Sequence, residues 1–199
     1  VEHVSGILVV LDRAVHVRRR LFAAIEQTGA VVAGESADDD GLTAAILALL
    51  PLVSNNLLDT DRPVIVDIKV GSSEGGASPN SGSHHPERSG VVRTFSPYGH
   101  RHTAEVAQEL GLADVHLTMT SVDLVRGALA AGHTFVRPGV TEKDLWRAYR
   151  SWVENEPFVR LVKDKRGVYR VPEPKILAGS NYADVGFSLD PDSGHVVAM

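Results

Sequence analysis

The chain has 199 residues, 43% of them hydrophobic and 23% charged, a balance that suits a folded globular protein rather than a disordered one. A formal net charge of −5 gives no electrostatic reason to expect nucleic acid as a partner. There is no cysteine, which excludes disulfides, thiolate metal sites and a cysteine nucleophile. No run of eighteen apolar residues occurs, so no membrane-spanning helix is expected. The amino terminus lacks the apolar core and small-residue cleavage site of a secretory signal, which predicts a cytoplasmic protein. The chain begins at Val1 rather than methionine and stops at Met199 directly after an apolar run. Both ends are therefore expected to be cut from something longer.

The first segment, residues 1–41, reads as strand, helix, strand. Ile7–Leu11 is an all-apolar strand, Arg13 to Gln27 a helix closed near Gly29, and Ala30–Ala33 a second strand. The acidic run from Glu35 to Gly41 marks a boundary. Beyond it, Thr43 to Leu58 is a strongly apolar helix that Pro51 should end or kink, because proline lacks the N–H donor. Val64 to Val70 is a strand, followed by a long glycine- and serine-rich segment, Gly71 to Gly99. A loop of that length in a compact domain is either functional or disordered, and its His84-His85-Pro86-Glu87-Arg88 stretch is too chemically dense for a spacer.

Thr103 to Leu110 is a short helix closed by Gly111, and Val115 to Val122 alternates as a strand. Val125–Ala131 and Thr134–Val136 could extend a sheet, with Gly132 between them. Thr141 and Asp144 have the spacing of a capping box, opening a helix with Leu145, Ala148, Tyr149, Trp152 and Val153 on one face. That stripe reads as core. Phe158–Val162, Tyr182–Phe187 and His195–Ala198 complete the strands, and the mixture predicts an α+β or mixed α/β domain over 42–199.

Five of the nine histidines gather at His84, His85, His100, His102 and His116. His100 and His102 lie two apart and could share a side of an extended segment, a spacing compatible with zinc. With neither cysteine nor a His-Glu-x-x-His pattern, acid–base chemistry fits better, and no metal is expected. Glu105 is placed to orient an imidazole at the helix opening. Arg88, Arg93 and Arg101 offer guanidinium forks for phosphate or carboxylate, and the glycine-rich loop should present N–H groups to an anion. Neither a dinucleotide nor a P-loop glycine fingerprint is present.

Three segments, Ile65 to Ser73, Ser83 to Gly90 and Gly99 to Glu105, together with Val140–Tyr149 and Pro172–Phe187, resemble the N-acetyl-gamma-glutamyl-phosphate reductase family. The resemblance is closest to the branch that works on an amino-group carrier protein in lysine and arginine biosynthesis, and covers Leu42 to Met199. It implies a largely antiparallel sheet with helices, like the catalytic domain of glyceraldehyde-phosphate-dehydrogenase-like enzymes, and a homodimer formed through the sheet side. It also implies reduction of a carrier-linked γ-glutamyl or aminoadipyl phosphate to the semialdehyde. In that reaction a cysteine attacks the acyl carbon, phosphate leaves, NADPH supplies hydride and a histidine manages the protons. By motif match His100 would be that histidine and Glu105 its partner, with Arg101 and His102 in the same pocket and Ser72, Ser73 and Arg88 on the substrate and phosphate side.

The cysteine position falls at Asp40, and no Rossmann fingerprint precedes it. The alternative is a non-catalytic fragment or chimera that retains carrier-protein or subunit binding. Residues 1–41 resemble instead the opening of a receiver domain.

Overall fold

The computed structural model describes residues 40–75, 78 and 80–199. The strands and helix expected between residues 7 and 33 lie outside them. Helix α1, Asp40–Ser54, begins inside the acidic run rather than after it, and carries Pro51 without ending there. Proline removes the backbone donor that would reach the carbonyl four residues earlier; separately, the last carbonyls of the helix are capped by the Ser54 hydroxyl on Leu50 at 2.7 Å and the Asn55 amide on Pro51 at 2.8 Å.

Strand β1, Val64–Val70, buries alternate residues Val64, Val66, Ile68 and Val70. A short 3₁₀ turn, Ser72–Gly75, and a one-turn helix α2, His85–Arg88, follow within the glycine-rich segment. That segment also contains a strand the sequence reading did not foresee, β2, Val92–Ser96. Its pattern of exposure shows no buried face. Alternation could not reveal it. Helix α3, Arg101–Leu110, is closed by Gly111 in the left-handed conformation at φ 66°.

Strand β3, Val115–Val122, matches expectation, whereas β4 runs unbroken through Gly132 from Ala128 to Phe135. Gly132 is there for packing: a Cβ would stand 2.9 Å from Leu49 of α1. Helix α4, Glu142–Val153, opens with the expected capping box and buries Leu145, Ala148 and Tyr149. Strand β5, Val159–Leu161, and short helix α5, Pro174–Leu177, lead to β6, Ala183–Val185. The strand expected over 182–187 is two strands in different sheets, because Gly186 ends β6 before β7, Phe187–Leu189, begins. Strand β8 is His195–Ala198.

The main sheet has the order β2-β3-β1-β4-β8-β7. Only β1 and β3 pair in parallel within it; the other four pairings are antiparallel. β5 and β6 form a separate parallel pair. The core gathers the apolar face of α1 with the inward residues of β1, β3, β4 and β8 and the buried residues of α3 and α4. The fully buried Tyr149 joins helices to sheet: its ring tilts on Phe187 at 4.9 Å, and its hydroxyl donates to the Ala48 carbonyl at 2.6 Å.

Tyr149→Phe should therefore lower stability by about 1 kcal/mol, the usual net worth of a buried hydrogen bond. Gly186→Ala should cost more, about 2 kcal/mol or greater, because a Cβ would collide with the Val162 carbonyl oxygen and the Pro172 ring. Urea denaturation of the two variants against the parent chain checks the size and the order.

Candidate functional site

Helices α1 and α3 both deliver their amino termini to the carboxyl-terminal end of β1 and β3. A Cβ on Gly41 would lie 3.0 Å from Glu74 Oε1, 3.1 Å from Ile68 and 3.3 Å from Met119, which fixes the opening of α1 over that end. The approach to α3 is tied to the same sheet region by the Thr118 hydroxyl, which donates to the Pro97 carbonyl at 3.2 Å. Two helix amino termini at one place favour negative charge there.

His100 is the N-cap of α3, with extended backbone, and its Nδ1 accepts from the His102 N–H at 3.3 Å. His102 is fully buried, and its Nδ1 meets Glu105 Oε2 at 2.6 Å. The expected His100–Glu105 pairing is thus corrected: the carboxylate goes to His102. The reason is helical spacing, since 102 and 105 lie three apart on one face while 100 stands outside the helix as its cap. The two imidazoles remain neighbours, with ring centroids 4.6 Å apart. Arg101, between them, is exposed.

The glycine-rich loop departs from expectation in a second way. Its first N–H groups are not turned toward an anion. Gly71, Ser72 and Ser73 donate to the carbonyls of Gly127, Leu124 and Val125 at 2.9–3.0 Å, which straps the loop to the β3–β4 connection. Ser72 is buried and its hydroxyl lies 3.1 Å from Nδ1 of the exposed His85. Ser73 is half-buried beside it.

Arg88, expected on the phosphate side, is 4% exposed and spends one Nη2 donor on the Val70 carbonyl at 2.6 Å. Burial pulls its pKa down, and attraction to the buried Glu74 carboxylate opposes that shift. It anchors the loop from inside. Asp40, at the position matched to the family's cysteine, is half-buried in the first turn of α1.

Residues 42–199 match the family described as semialdehyde dehydrogenase, dimerisation domain. The chain belongs to this family. It is 55% identical over 157 residues to a putative LysW-L-2-aminoadipate/LysW-L-glutamate phosphate reductase of Haloarcula marismortui, covering 79% of this chain and 45% of that protein. It is 47% identical over 158 residues to the LysW-L-2-aminoadipate 6-phosphate reductase of Deinococcus radiodurans, with coverage of 79% and 45%. The chain thus spans a little under half the length of these curated relatives. Among solved structures it is similar to aspartate semialdehyde dehydrogenase from Francisella tularensis, at a TM-score of 0.58 and 11% identity, over 83% of this chain and 57% of that one. That likeness bears on the fold, which is the mixed, largely antiparallel one expected.

Within this family's domain, the sequence reading did not single out Glu74. A lone acid in a glycine-serine run carries no periodic signal, and its burial depends on α1 and on the packing of the loop. Nor did it anticipate the Thr94–Thr120 hydroxyl pair, 3.1 Å apart across β2 and β3, since β2 itself was not foreseen. A cleft of about 310 Å³ lies at the other end of the sheet, between Leu58, Arg62 and Asp114, away from these histidines. Among the described residues no group of three or more histidine or acidic side chains could hold a metal, and no helix is long and apolar enough to cross a membrane.

Arg88→Met should destabilise the fold by about 2 kcal/mol, the usual scale for losing a buried hydrogen bond from a charged donor, here the one to the Val70 carbonyl. Arg88→Met combined with Glu74→Gln should recover part of that loss. A double-mutant cycle by urea denaturation measures the coupling.

Proposed function

We propose that this domain is the catalytic and dimerisation half of a reductase acting on a carrier-protein-linked aminoadipyl or glutamyl phosphate, by the chemistry its relatives' names describe. The observation that carries the reading is the pairing of the buried His102 with the partly exposed Glu105 beside His100, at an end of the sheet where two helix amino termini converge. An acyl phosphate brings negative charge, and the converging helix termini favour it. Attack at the acyl carbon expels phosphate, and an imidazole fixed by a carboxylate can take or give the proton. His102 is held by Glu105, while His100 stands at the helix opening as the more accessible ring.

The cysteine that the resemblance implies would stand where Asp40 is. A thiol at the first turn of a helix is acidified by the unpaired N–H groups and the helix dipole. Asp40 shares the location without the nucleophilicity, and the chain holds no cysteine. For this chain by itself, that observation favours the second reading, a unit that binds carrier protein or sister subunit without chemistry.

NADPH is the reductant implied by the family reading. The described residues do not fit it: the N–H groups of residues 71–73 are occupied by the β3–β4 connection, and no glycine fingerprint opens a helix. No hydride step is therefore derived from this chain.

The chain as it stands should show no NADPH oxidation with an acyl phosphate. Asp40→Cys introduces a single thiol, which should be alkylated by iodoacetamide with a midpoint below the free-thiol value of about 8.5. The variant should also take up an acyl group from acetyl phosphate, seen as a mass increase, and lose most of that reactivity on adding His100→Ala or His102→Ala. An inert thiol in Asp40→Cys, with an ordinary midpoint, would remove the basis for the catalytic reading.

The dimerisation description of the family leads us to expect a homodimer. Light scattering at tens of micromolar should give twice the chain mass, since stable dimers persist at roughly such concentrations.

A further inference from the structure

The sheet has a second face. Leu49 of α1 packs at Gly132, and Ile68 and Met119 lie under Gly41, so the helices cover the side formed by the inward residues of β1, β3 and β4. Among the described residues the opposite side is left open. It displays Ile65, 49% exposed, with the half-buried Leu129, Ala131, Phe135 and Val197 around it.

In the middle of this apolar field lies a histidine pair. His133 of β4 sits opposite Ile65 on one neighbour and Val197 on the other. Its ring stacks on that of His195 at 15° with centroids 5.4 Å apart, and its Nδ1 lies 3.3 Å from His195 Nε2. A hydrogen bond between two imidazole nitrogens needs one ring to accept. At least one must be neutral, so both rings can be charged only by breaking the contact.

The charged groups around the pair come from three places. On β1, Asp67 is bound to Lys69 at 2.5 Å, and the two act on His133 with opposite sign. Asp190, before β8, interacts with His195. Arg62, preceding β1, lies over the Phe135 ring at 3.4 Å, and that ring contacts His195 at 5.3 Å. Asp67 and Lys69 neutralise one another, so with both imidazoles neutral the field around Ile65 carries little net charge. It suits self-complementary contact about a two-fold axis.

The family resemblance implies that a second copy of the chain sits on this sheet side, and we propose that the His133–His195 pair makes that contact proton-sensitive, closed at neutral pH and released in mild acid. The proposal rests on the dimer reading above and adds to it the control of the contact. A second copy would desolvate both rings further and oppose their charged forms. The sign follows. Burial already lowers the His133 pKa below its usual 6.5, and proximity to His195 lowers it more. A ring whose pKa falls on association binds fewer protons in the dimer, so association weakens as pH drops through the free chain's titration range. If one proton per copy must leave on pairing, Kd should rise about 100-fold for each pH unit below that range.

The test is sedimentation velocity of the whole chain at pH 7.5 and 5.5, with circular dichroism to confirm the fold at both. The expected result is a dimer at pH 7.5 and a monomer at pH 5.5, with the double variant His133→Gln/His195→Gln dimeric at both. Ile65→Asp should be monomeric throughout. Because acid could unfold the chain, His195→Lys at pH 7.5 supplies fixed charge without acid and should also be monomeric. A wild-type dimer unaffected by pH and by His195→Lys would overturn the proton-sensitive contact and leave the dimer reading standing. A dimer that survives Ile65→Asp would place the contact on another face and overturn the proposal. A monomer at pH 7.5 in the unmodified chain would overturn the dimer reading itself.

Discussion

Because β1 pairs in parallel with β3, from Val64 opposite Val115 to Val70 opposite Ser121, the chain between them must return from one end of the sheet to the other. That return contains the glycine-rich loop, α2, β2 and α3. It leaves β1 at the carboxyl end, lays β2 on the outer edge of β3, and then runs α3 back so that Gly111 approaches the beginning of β3. The opening of α3 is thereby set at the same end as the loop. Helix α1 enters over that end as well. Shifting this one pairing would move every candidate residue.

The strap between residues 71–73 and the β3–β4 connection follows from the same constraint. A loop leaving a central strand has polar backbone groups that cannot remain buried and unpaired. Here the neighbouring connection satisfies them, and Arg88 reaches back to the Val70 carbonyl to close the turn from the other side. Residues 71–73 are held by the fold rather than left to wrap a ligand. Residues rich in glycine and serine had suggested the contrary. Composition reported that tight backbone approach was possible; it did not report which backbone would approach.

The two faces of the sheet divide the molecule's chemistry. The helix-covered face carries the core, and at its carboxyl end the buried Glu74, Arg88 and His102. The open face carries the paired imidazoles of His133 and His195 among apolar neighbours. Period-two alternation makes this separation possible: Ile65, Asp67 and Lys69 face away from Val66 and Ile68 on the same strand. One strand can thus serve a site and an interface without sharing a side chain.

Sequence alone determined what depends on neighbours along the chain. The alternation of Val64–Val70, the capping box of Thr141 and Asp144, the closure of α3 by Gly111 and the core stripe of α4 are local in origin, and each is present. The ordered motifs singled out Gly99 to Glu105 as candidates, but did not give the partner of Glu105. That choice depends on which imidazole enters the helix and which remains outside as its cap. Strand β2 was hidden because an edge strand exposed on both faces has no apolar period. The break at Gly186 was hidden because a strand's continuity does not say which sheet receives it. His133 and His195 are 62 residues apart, and only the β4–β8 register brings their rings together. Local preference fixes an element; which elements meet is decided by long-range burial and pairing, whose energy no short stretch of sequence contains.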